Sequence, residues 1–562
     1  MPPSSKSFPL SVAAALCATA LTAPSLHAQF YIGTGEGDWF TAANWNSFTV
    51  PETAASATVA NNATAVIASS GVDLDWLLLG YFDSGSVRVE NGATGFSNSI
   101  QIGLESRFTV TGEASAWTAQ NLMIDATGAA SHLVVSYGGQ VAVEALSTGG
   151  FAGVGGNILV TGAGSQLSTS AASWGLMLGS ALDSTGSVTV SDGGAFVTAG
   201  TASLGYSGTG NVLLTGAESS WTVNNHIYLG YDTTGVGTLT VADGAAGSST
   251  GLHVGYYDGT GTVTITGDGS QWSTDEFSLS DGTLIVENGG VLRLGDGTGY
   301  GLNYDTTRIG NGSTAGRIEG GWLNYGSLVL DHTDTATVVT GYFTNLGTIE
   351  KNGPGTSIFA GEFTNLGGTG TVAINAGTLQ LGNGGDLSDI DGEFTTAAGS
   401  TLAFNFSSSN LWFSGLLSGD GSLRKSGTGR LTLDTDNTYT GSTTVDGGTL
   451  SISSDTQLGT APSSATASHL VLDNGTLRTT TTMTLNANRG LELGAAGGTV
   501  QTTGTLTYAG VIAGAGRNGH RAEAEAEGKT VRPLAEIDRR HCGEVSAVAC
   551  AADASLCFAR QH

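Results

Sequence analysis

The chain has 562 residues, of which 89 are glycine and only 8 are proline, and 39% of its residues are hydrophobic. This composition provides enough apolar side chains for a core and excludes a collagen-like chain or a proline-rich linker. Its 47 acidic and 19 basic residues give a formal net charge of -28, which argues against nucleic acid, anionic lipid and polyanionic substrates as partners.

Residues 1–28 have the features of a secretory signal peptide. Lys6 precedes an apolar stretch, and the small residue Ala28 lies at the end of the segment. This order predicts export followed by cleavage after Ala28. No later segment has 18 consecutive apolar residues, so we expect no transmembrane helix. Between positions 29 and 516 there is no cysteine, so the exported part forms no disulfide bond.

Residues 29–60 are interpreted as an N-terminal cap, and residues 61–300 form a series of repeats. Four copies of a pattern close to TG-x-x-S-x-W begin 50, 54 and 51 residues apart, at positions 111, 161, 215 and 266. A Leu-Gly or Val-Gly pair recurs every 25 or 26 residues, at positions 178–179, 204–205, 229–230 and 254–255. Alternating runs such as GSVTVSDGG lie between these pairs and predict short β-strands joined by tight turns.

A unit of about 25 residues with several short strands cannot bury its apolar edge alone, but a stack of such units can. The sequence therefore predicts an all-β fold, a parallel β-helix (β-solenoid) with coils of about 20–26 residues spaced about 4.8 Å apart. In residues 301–422 the coils shorten, because WLNYG and two copies of FTNLG place their glycines 21 and 20 residues apart, at Gly326, Gly347 and Gly367.

Residues 423–516 have a third style of repeat. From Leu423 to Gly459 the chain contains a Lys-x-Gly-x-Gly segment, a Leu-Thr-Leu strand, an Asn-x-Tyr-x-Gly segment and a Gly-Thr-Leu strand, at Lys425, Gly427, Gly429, 431–433, Asn437, Tyr439, Gly441 and 448–450. This stretch resembles the autotransporter-associated β-strand repeat. The TG-x-x-S-x-W units are similar to repeats in passengers of type V secretion systems and in some exported proteins with sorting tails.

These resemblances together cover nearly all of residues 31–516. They imply a right-handed β-helix passenger that is displayed at, or released from, a bacterial surface. Such families are defined by architecture, so the resemblance supplies no catalytic residues.

Three tryptophans, Trp117, Trp221 and Trp272, occupy the same position in their repeat units, where they could form a ladder for stacking on carbohydrate rings. The fourth unit has Leu167 at that position. A position that accepts leucine in place of tryptophan favours packing, so we predict that the three indoles fill the core.

A parallel β-helix can also be a polysaccharide lyase or a glycosidase, with carboxylates and basic residues aligned in a lateral cleft. The outward position before each Leu-Gly or Val-Gly pair should form a column, and no acid or base recurs in this column, which reads Met177, Ser203, Tyr228 and His253. Asp275 and Glu276 are adjacent carboxylates, but a glycosidase needs two carboxylates at a set separation in space. We therefore predict no catalytic residue and no enzyme activity, with a polysaccharide-cleaving enzyme as the alternative.

The sequence predicts no metal ligands and no cofactor-binding residues. The stretch at 386–393 is acid-rich enough to attract a cation, and the overlapping segment 382–392 resembles a Ca²⁺-binding nonapeptide repeat. Such repeats work in tandem and this one occurs once, so we expect a turn with solvated carboxylates. His132, His226 and His253 have neither cysteine partners nor metal-ligand spacing, and we interpret them as solvent-facing strand residues.

Residues 517–562 differ from the rest of the chain. They contain 7 of the 19 basic residues, 3 of the 4 cysteines and 3 of the 89 glycines. The repeats predict another Lys-x-Gly-x-Gly unit after GVIAGAG, but the pattern breaks off at Gly516. We interpret this atypical tail as a segment read out of frame, with a genuine appendage as the alternative. The families it resembles use an outer-membrane barrel or a sorting segment at the C-terminus, and neither is recognisable in this sequence.

The function that these observations predict is that of an exported bacterial passenger with a structural or adhesin-like role. It is expected at the cell surface or outside the cell, or in the periplasm if no translocator is present. Glycans or neighbouring cells are the expected partners, because the side wall of a solenoid exposes Thr, Ser, Asn and Tyr for weak multivalent contacts. No nucleic-acid partner is expected.

Overall fold

The structure is a computed structural model that describes residues 29–514, apart from positions 81–82, 128–131, 296, 298, 367 and 409, and the backbone of three strands in the tail. The side chains of residues 126, 127 and 132 also lie outside the described part. The predicted signal peptide, the side chain of His132 and all side chains of the tail are therefore outside the described residues.

The chain divides into two compact units, the first formed by 1–263 and 269–274 and the second by 264–268 and 275–562. In both units a strand pairs in parallel with the equivalent strands of the coils before and after it. Thr209–Thr215 of the first unit, for example, pairs with Thr185–Ser191 and with Val236–Ala242. The pairings confirm the predicted all-β, parallel β-solenoid fold.

The first unit consists of short strands, which are Gln29–Tyr31, Glu36–Asp38, Ala55–Val59, Ala63–Ile67, Val72–Leu79, Gly85–Val89, Thr94–Gly103, Arg107–Thr111, Ala116–Thr127, His132–Ser136, Gln140–Thr148, Val154–Thr161, Gln166–Thr169, Trp174–Leu178, Thr185–Ser191, Ala195–Thr198, Thr201–Leu204, Thr209–Thr215, Ser220–Leu229, Val236–Ala242 and Ala246–Val254. It also contains a 3₁₀ turn at Ala42–Asn44. Two strands contain residues of both units, Thr260–Thr266 and Gln271–Leu279.

The second unit has the strands Gly282–Glu287, Val291–Leu294, Tyr300–Asn303, Thr306–Ser313, Arg317–Glu319, Gly321–Asn324, Ser327–His332, Thr335–Val339, Phe343–Asn345, Thr348–Lys351, Thr356–Phe359, Phe363–Asn365, Thr371–Ile374, Thr378–Leu381, Glu393–Thr396, Thr401–Asn405, Leu411–Phe413, Leu416–Gly419, Ser422–Ser426, Arg430–Leu433, Thr443–Val445, Thr449–Ile452, Thr466–Leu472, Gly475–Thr479, Met483–Leu485, Arg489–Leu493, Gly498–Thr502, Leu506–Tyr508 and Ile512–Gly514. It also has a 3₁₀ turn at Asp455–Leu458. The tail strands are Arg521–Glu525, Val548–Cys550 and Ser555–Ala559, and their pairings are antiparallel.

The recurrent Leu-Gly pair ends a strand in several coils of the first unit. Leu204 and Leu229 are fully buried. Gly205 and Gly230 have φ angles of 72° and 66°, in the left-handed region that favours glycine. A Cβ atom on Gly205 would lie 2.1 Å from the carbonyl oxygen of Val236 in the next coil. The pair therefore marks a corner at which successive coils approach too closely for a side chain.

The serine of the TG-x-x-S-x-W pattern joins successive coils. The four motif serines are at most 1% exposed, and they are Ser115, Ser165, Ser219 and Ser270. Each Oγ accepts a hydrogen bond of 3.0 Å from a glycine N–H in the preceding coil, the donors being Gly92, Gly138, Gly193 and Gly244. A buried N–H group without an acceptor costs free energy. Each motif serine supplies the acceptor for a glycine N–H group in a turn of the preceding coil.

The repeated tryptophans are buried, which confirms that they fill the core. Trp117, Trp221 and Trp272 are 0% exposed, and each indole N–H donates to a Ser or Thr hydroxyl of the preceding coil at 3.0–3.2 Å. Leu167, at the same position of its own unit, is also fully buried. Trp221 stacks on Phe196 with ring centroids 5.7 Å apart. These indoles therefore stabilise the stack and are not accessible to a ligand.

Replacing Gly247 with alanine is expected to destabilise the first unit by about 1–3 kcal/mol. Gly247 pairs with Trp221, and a Cβ atom there would lie 2.1 Å from Cζ3 of Trp272. Gly385→Ala is a suitable control, because a Cβ atom at that position meets nothing within 4 Å. Thermal unfolding of both variants checks this prediction, and equal melting temperatures would contradict it.

The shorter coils of the second unit contain a ladder of buried asparagines. Its members lie in successive coils and are at most 1% exposed, and they are Asn303, Asn324, Asn345 and Asn365. Along the ladder each Nδ2 donates to the Oδ1 of the next asparagine, at 2.6, 2.8 and 2.8 Å. The same Nδ2 groups donate to backbone carbonyls, those of Ser327, Thr348 and Thr371. The asparagine of the FTNLG repeats is therefore an internal link between coils.

Two lysines of the second unit are fully buried. Nζ of Lys351 donates to the carbonyl oxygen of Gly353, and Nζ of Lys425 donates to those of Ser426 and Gly427. Burial lowers the pKa of both lysines to about 8. Each is the lysine of a Lys-x-Gly-x-Gly segment, so this motif describes a turn whose carbonyls bind a buried ammonium group.

Candidate functional site

The column of residues before the Leu-Gly pairs is present in the structure. Met177 pairs with Ser203, Ser203 with Tyr228, and Tyr228 with His253. Met177 and Ser203 are buried rather than exposed as predicted, whereas Tyr228 and His253 are half-buried. The reason is that the rings of Trp174 and Tyr228, two coils apart, approach within 6.2 Å across the coil that contains Ser203.

Six aromatic side chains lie together on one side wall of the first unit, and one of them is Tyr228 of this column. We name this surface the aromatic patch, and it consists of Trp174, Tyr206, Tyr228, Tyr231, Tyr256 and Tyr257. The residues come from four successive coils, so only the stacking of the repeats brings them together. Tyr257 is 56% exposed and the other five are half-buried. This contiguous, partly accessible aromatic surface is the candidate binding site of the first unit.

The rings of the aromatic patch differ in orientation. Tyr206 and Tyr231 stack almost in parallel, with centroids 4.8 Å apart and planes 13° apart. Trp174 stands across this stack, 5.4 Å from Tyr231 and at 87° to it. Tyr257 is turned by 66° from Tyr256 at 4.4 Å. The patch therefore combines rings in several orientations with phenol hydroxyl groups, and Tyr257 is its most exposed ring.

The aromatic patch is uncharged at neutral pH, although the chain as a whole is strongly acidic. Burial raises the pKa of Tyr231 to about 12, helped by neighbouring Tyr206, and burial raises the pKa of Tyr256 to about 12, helped by a hydrogen bond with Tyr257. These phenols therefore stay protonated and act as hydrogen-bond donors and acceptors. The exposed Asp232, beside Tyr231 in the chain, adds a carboxylate to the rim of the patch.

Two histidines beside the aromatic patch contact each other. Nδ1 of His226 and Nε2 of His253 are 3.0 Å apart and form a hydrogen bond. Both histidines are half-buried rather than fully solvent-facing, and the imidazole of His253 packs 5.1 Å from the ring of Tyr228. Gly251 makes the contact possible, since a Cβ atom there would lie 2.2 Å from Nδ1 of His226.

The facing nitrogens of His226 and His253 are also the atoms with which this pair could ligate a transition metal. In the hydrogen-bonded arrangement one proton lies between them, and a metal ion would have to displace it. Burial, with a contribution from His226, lowers the pKa of His253 to about 4. The imidazole of His253 is therefore neutral at pH 7.

Acidification from pH 6.5 to pH 4.5 is expected to cost the first unit about 1–2 kcal/mol through His253, allowing for partial screening by solvent. Its pKa is about 4 in the folded chain against 6.5 as the ordinary value, so below pH 6.5 the unfolded chain binds a proton that the folded chain does not. Stability from this group is present above pH 6.5 and is lost as the pH falls towards 4. His253→Gln should flatten this part of the melting profile, and an unchanged profile would contradict the prediction.

The acid-rich stretch at 386–393 is an irregular surface segment of the second unit, and its last residue begins the strand Glu393–Thr396. Asp386, Asp389 and Asp391 are exposed, while Leu387 and Ile390 between them are buried. Oδ1 of Asp389 accepts the backbone N–H of Trp412, and Oδ1 of Asp391 accepts the N–H of the next residue. The geometry agrees with the interpretation of these carboxylates as solvated.

Two segments match the family model described as the passenger-associated-transport-repeat, at residues 349–381 and 423–452. Both begin two residues before a buried lysine of the second unit, Lys351 or Lys425. The solenoid fold and these repeats together make the chain similar to autotransporter passengers. No helix in the described part of the chain is long and apolar enough to span a membrane.

Among individual proteins, the chain is similar to the "Adhesin BmaC autotransporter" of Brucella suis biovar 1 (strain 1330). The two sequences are 27% identical over 288 residues. The match covers 46% of this chain and 8% of the adhesin, so the chain corresponds to a small part of its relative.

Proposed function

We propose that the protein is an exported passenger that is displayed at, or released from, a bacterial surface and acts as an adhesin rather than as an enzyme. The similarity to an autotransporter adhesin is the observation that carries this proposal. The passenger-associated repeats and the solenoid fold support it, because long stacks of coils provide a large side wall for contact with other surfaces.

The proposed mechanism of adhesion is multivalent contact through the side walls of the coils. Exposed tyrosines occur on both units, such as Tyr257 on the first and Tyr300 and Tyr304 on the second. Tyrosine provides a large apolar ring with a polar tip and loses little conformational entropy on binding. Several weak contacts of this kind along one molecule give an avidity far above that of any single contact.

Adhesion of coated beads tests the proposed function. Beads that bear the purified chain should bind to cells in a saturable manner, and free chain should compete with them. Beads coated with an unrelated protein of similar net charge are the control, because a charge of -28 alone affects attachment. Binding no greater than that of the control beads would refute the adhesive role. Oligosaccharides released from the cells would instead favour a polysaccharide-cleaving enzyme.

A further inference from the structure

We propose that the aromatic patch is a binding site for an uncharged, extended polysaccharide that lies across several coils of the first unit. This inference rests on the proposed adhesive function and specifies one ligand class and one site for it. The site is the surface formed by Trp174, Tyr206, Tyr228, Tyr231, Tyr256 and Tyr257.

The repeat of the rings indicates a ligand that is itself a linear repeat. Tyr206, Tyr231 and Tyr256 follow the corner glycines of three successive coils, and their backbone N–H groups donate to carbonyls of the coil before. Their ring centroids are 4.8 and 5.4 Å apart along the stack. This spacing is close to the length of one pyranose ring in an extended chain, so successive sugars can contact successive tyrosines.

The chemistry of the aromatic patch matches sugar rings. Sugars present apolar C–H faces, which pack on aromatic rings, and hydroxyl groups, which need donors and acceptors. Tyr257, with 56% of its surface exposed, offers the most accessible ring of the patch. The phenol groups of Tyr231 and Tyr256 remain protonated at neutral pH and supply the polar contacts.

The charge of the surroundings selects an uncharged chain over an acidic one. Asp232 and Asp258 are exposed next to Tyr231 and Tyr257 in the chain, and their carboxylates would repel uronic acids or sulfate groups while accepting hydrogen bonds from sugar hydroxyls. A second copy of the protein is disfavoured as the occupant, because each copy has a net charge of -28.

Affinity electrophoresis of the full chain tests the inference. Gels contain one neutral polysaccharide each, hydroxyethyl cellulose, xyloglucan or galactomannan, or the acidic polysaccharide polygalacturonate. We expect retardation in at least one neutral gel and none in polygalacturonate. Retardation in no neutral gel, or in polygalacturonate alone, would overturn the inference. Bead adhesion that persists in the absence of polysaccharide binding would leave the adhesive function standing and refute only this site.

Variants of the aromatic patch locate the binding site. Tyr257→Ala is the main variant, because Tyr257 is the most exposed residue of the patch, and Trp174→Ala is the second. Each should raise the dissociation constant about tenfold or more, as removal of an aromatic anchor does at other interfaces. Tyr137→Ala, at a residue that is 79% exposed on the same unit and outside the patch, is the matched control and should bind normally.

Two further results would count against the site. The first is polysaccharide binding by Tyr257→Ala that equals binding by Tyr137→Ala, with both variants shown to be folded by circular dichroism. The second is sedimentation in which the wild-type chain self-associates and Tyr257→Ala does not, because the patch would then hold a second copy of the chain.

Discussion

Replacement of Asn324 with alanine is expected to destabilise the second unit by about 3 kcal/mol, because it removes buried hydrogen bonds and leaves a cavity. Asn324 is fully buried and donates to Oδ1 of Asn345 at 2.8 Å and to the carbonyl oxygen of Thr348 at 3.0 Å. It also accepts a hydrogen bond from Asn303. The substitution leaves the buried Oδ1 of Asn345 and the carbonyl oxygen of Thr348 without this donor and opens a cavity, so several coils lose stability together.

Hydrogen exchange of peptides covering residues 320–371, measured at increasing urea concentration, reports this loss locally. Asn375→Ala is the matched control, because Asn375 is exposed and its side chain donates to the side chain of Asn352 on the surface. The control should stay within about 0.5 kcal/mol of the wild type. Equal protection in the two variants would contradict a structural role for the asparagine ladder.

The second large effect is a rise in stability between pH 8 and pH 10. Lys351 and Lys425 have pKa values of about 8 in the folded chain because of burial, against 10.5 as the ordinary value. Between these values the unfolded chain binds more protons than the folded chain, so the free energy of unfolding increases with pH. Each lysine should contribute about 2–3 kcal/mol to this rise.

The pH profile must stop at pH 10, because Tyr439 acts in the opposite direction above it. Burial raises the pKa of Tyr439 to about 12, so the stability it provides is present below pH 10 and lost between pH 10 and 12. The double variant with Lys351→Met and Lys425→Met should have a flat profile from pH 8 to pH 10. A flat profile in the wild type, or the same rise in the double variant, would contradict the account of the buried lysines.

The parallel β-solenoid could be predicted from the sequence because its repeats are physical requirements of stacking. The Leu-Gly pairs place a buried leucine beside a glycine such as Gly205, where no side chain fits. The motif serines recur because each accepts a hydrogen bond from an N–H group of the coil before it. The tryptophans of the motif recur because each, like Trp221, fills the core and donates a hydrogen bond to the coil before it. In the second unit the asparagine of FTNLG recurs for the same reason.

The aromatic patch was only partly predictable. Tyr206, Tyr231 and Tyr256 each follow a Leu-Gly or Val-Gly pair directly, and this recurrence was a usable signal in the sequence. Trp174 gave no such signal, because an irregularity in the strand register between Trp174 and Leu176 determines where its ring lies. The contact between His226 and His253 was not predictable either. It requires a residue without a Cβ atom at Gly251, and the spacing of the histidines in the sequence does not reveal this requirement.

The aromatic patch depends on the register of the coils, because it exists only if residues about 25 positions apart are neighbours in space. Disulfide formation measures this directly, in a chain whose four cysteines are replaced by serine. Leu213 and Thr240 are paired in register, so their Cα atoms are about 4.8 Å apart and Leu213→Cys with Thr240→Cys should form a disulfide. Leu213→Cys with Thr238→Cys, about 8 Å apart, should not. Equal cross-linking of the two pairs, or none in the first, would contradict the stacked solenoid and with it the proposed binding surface.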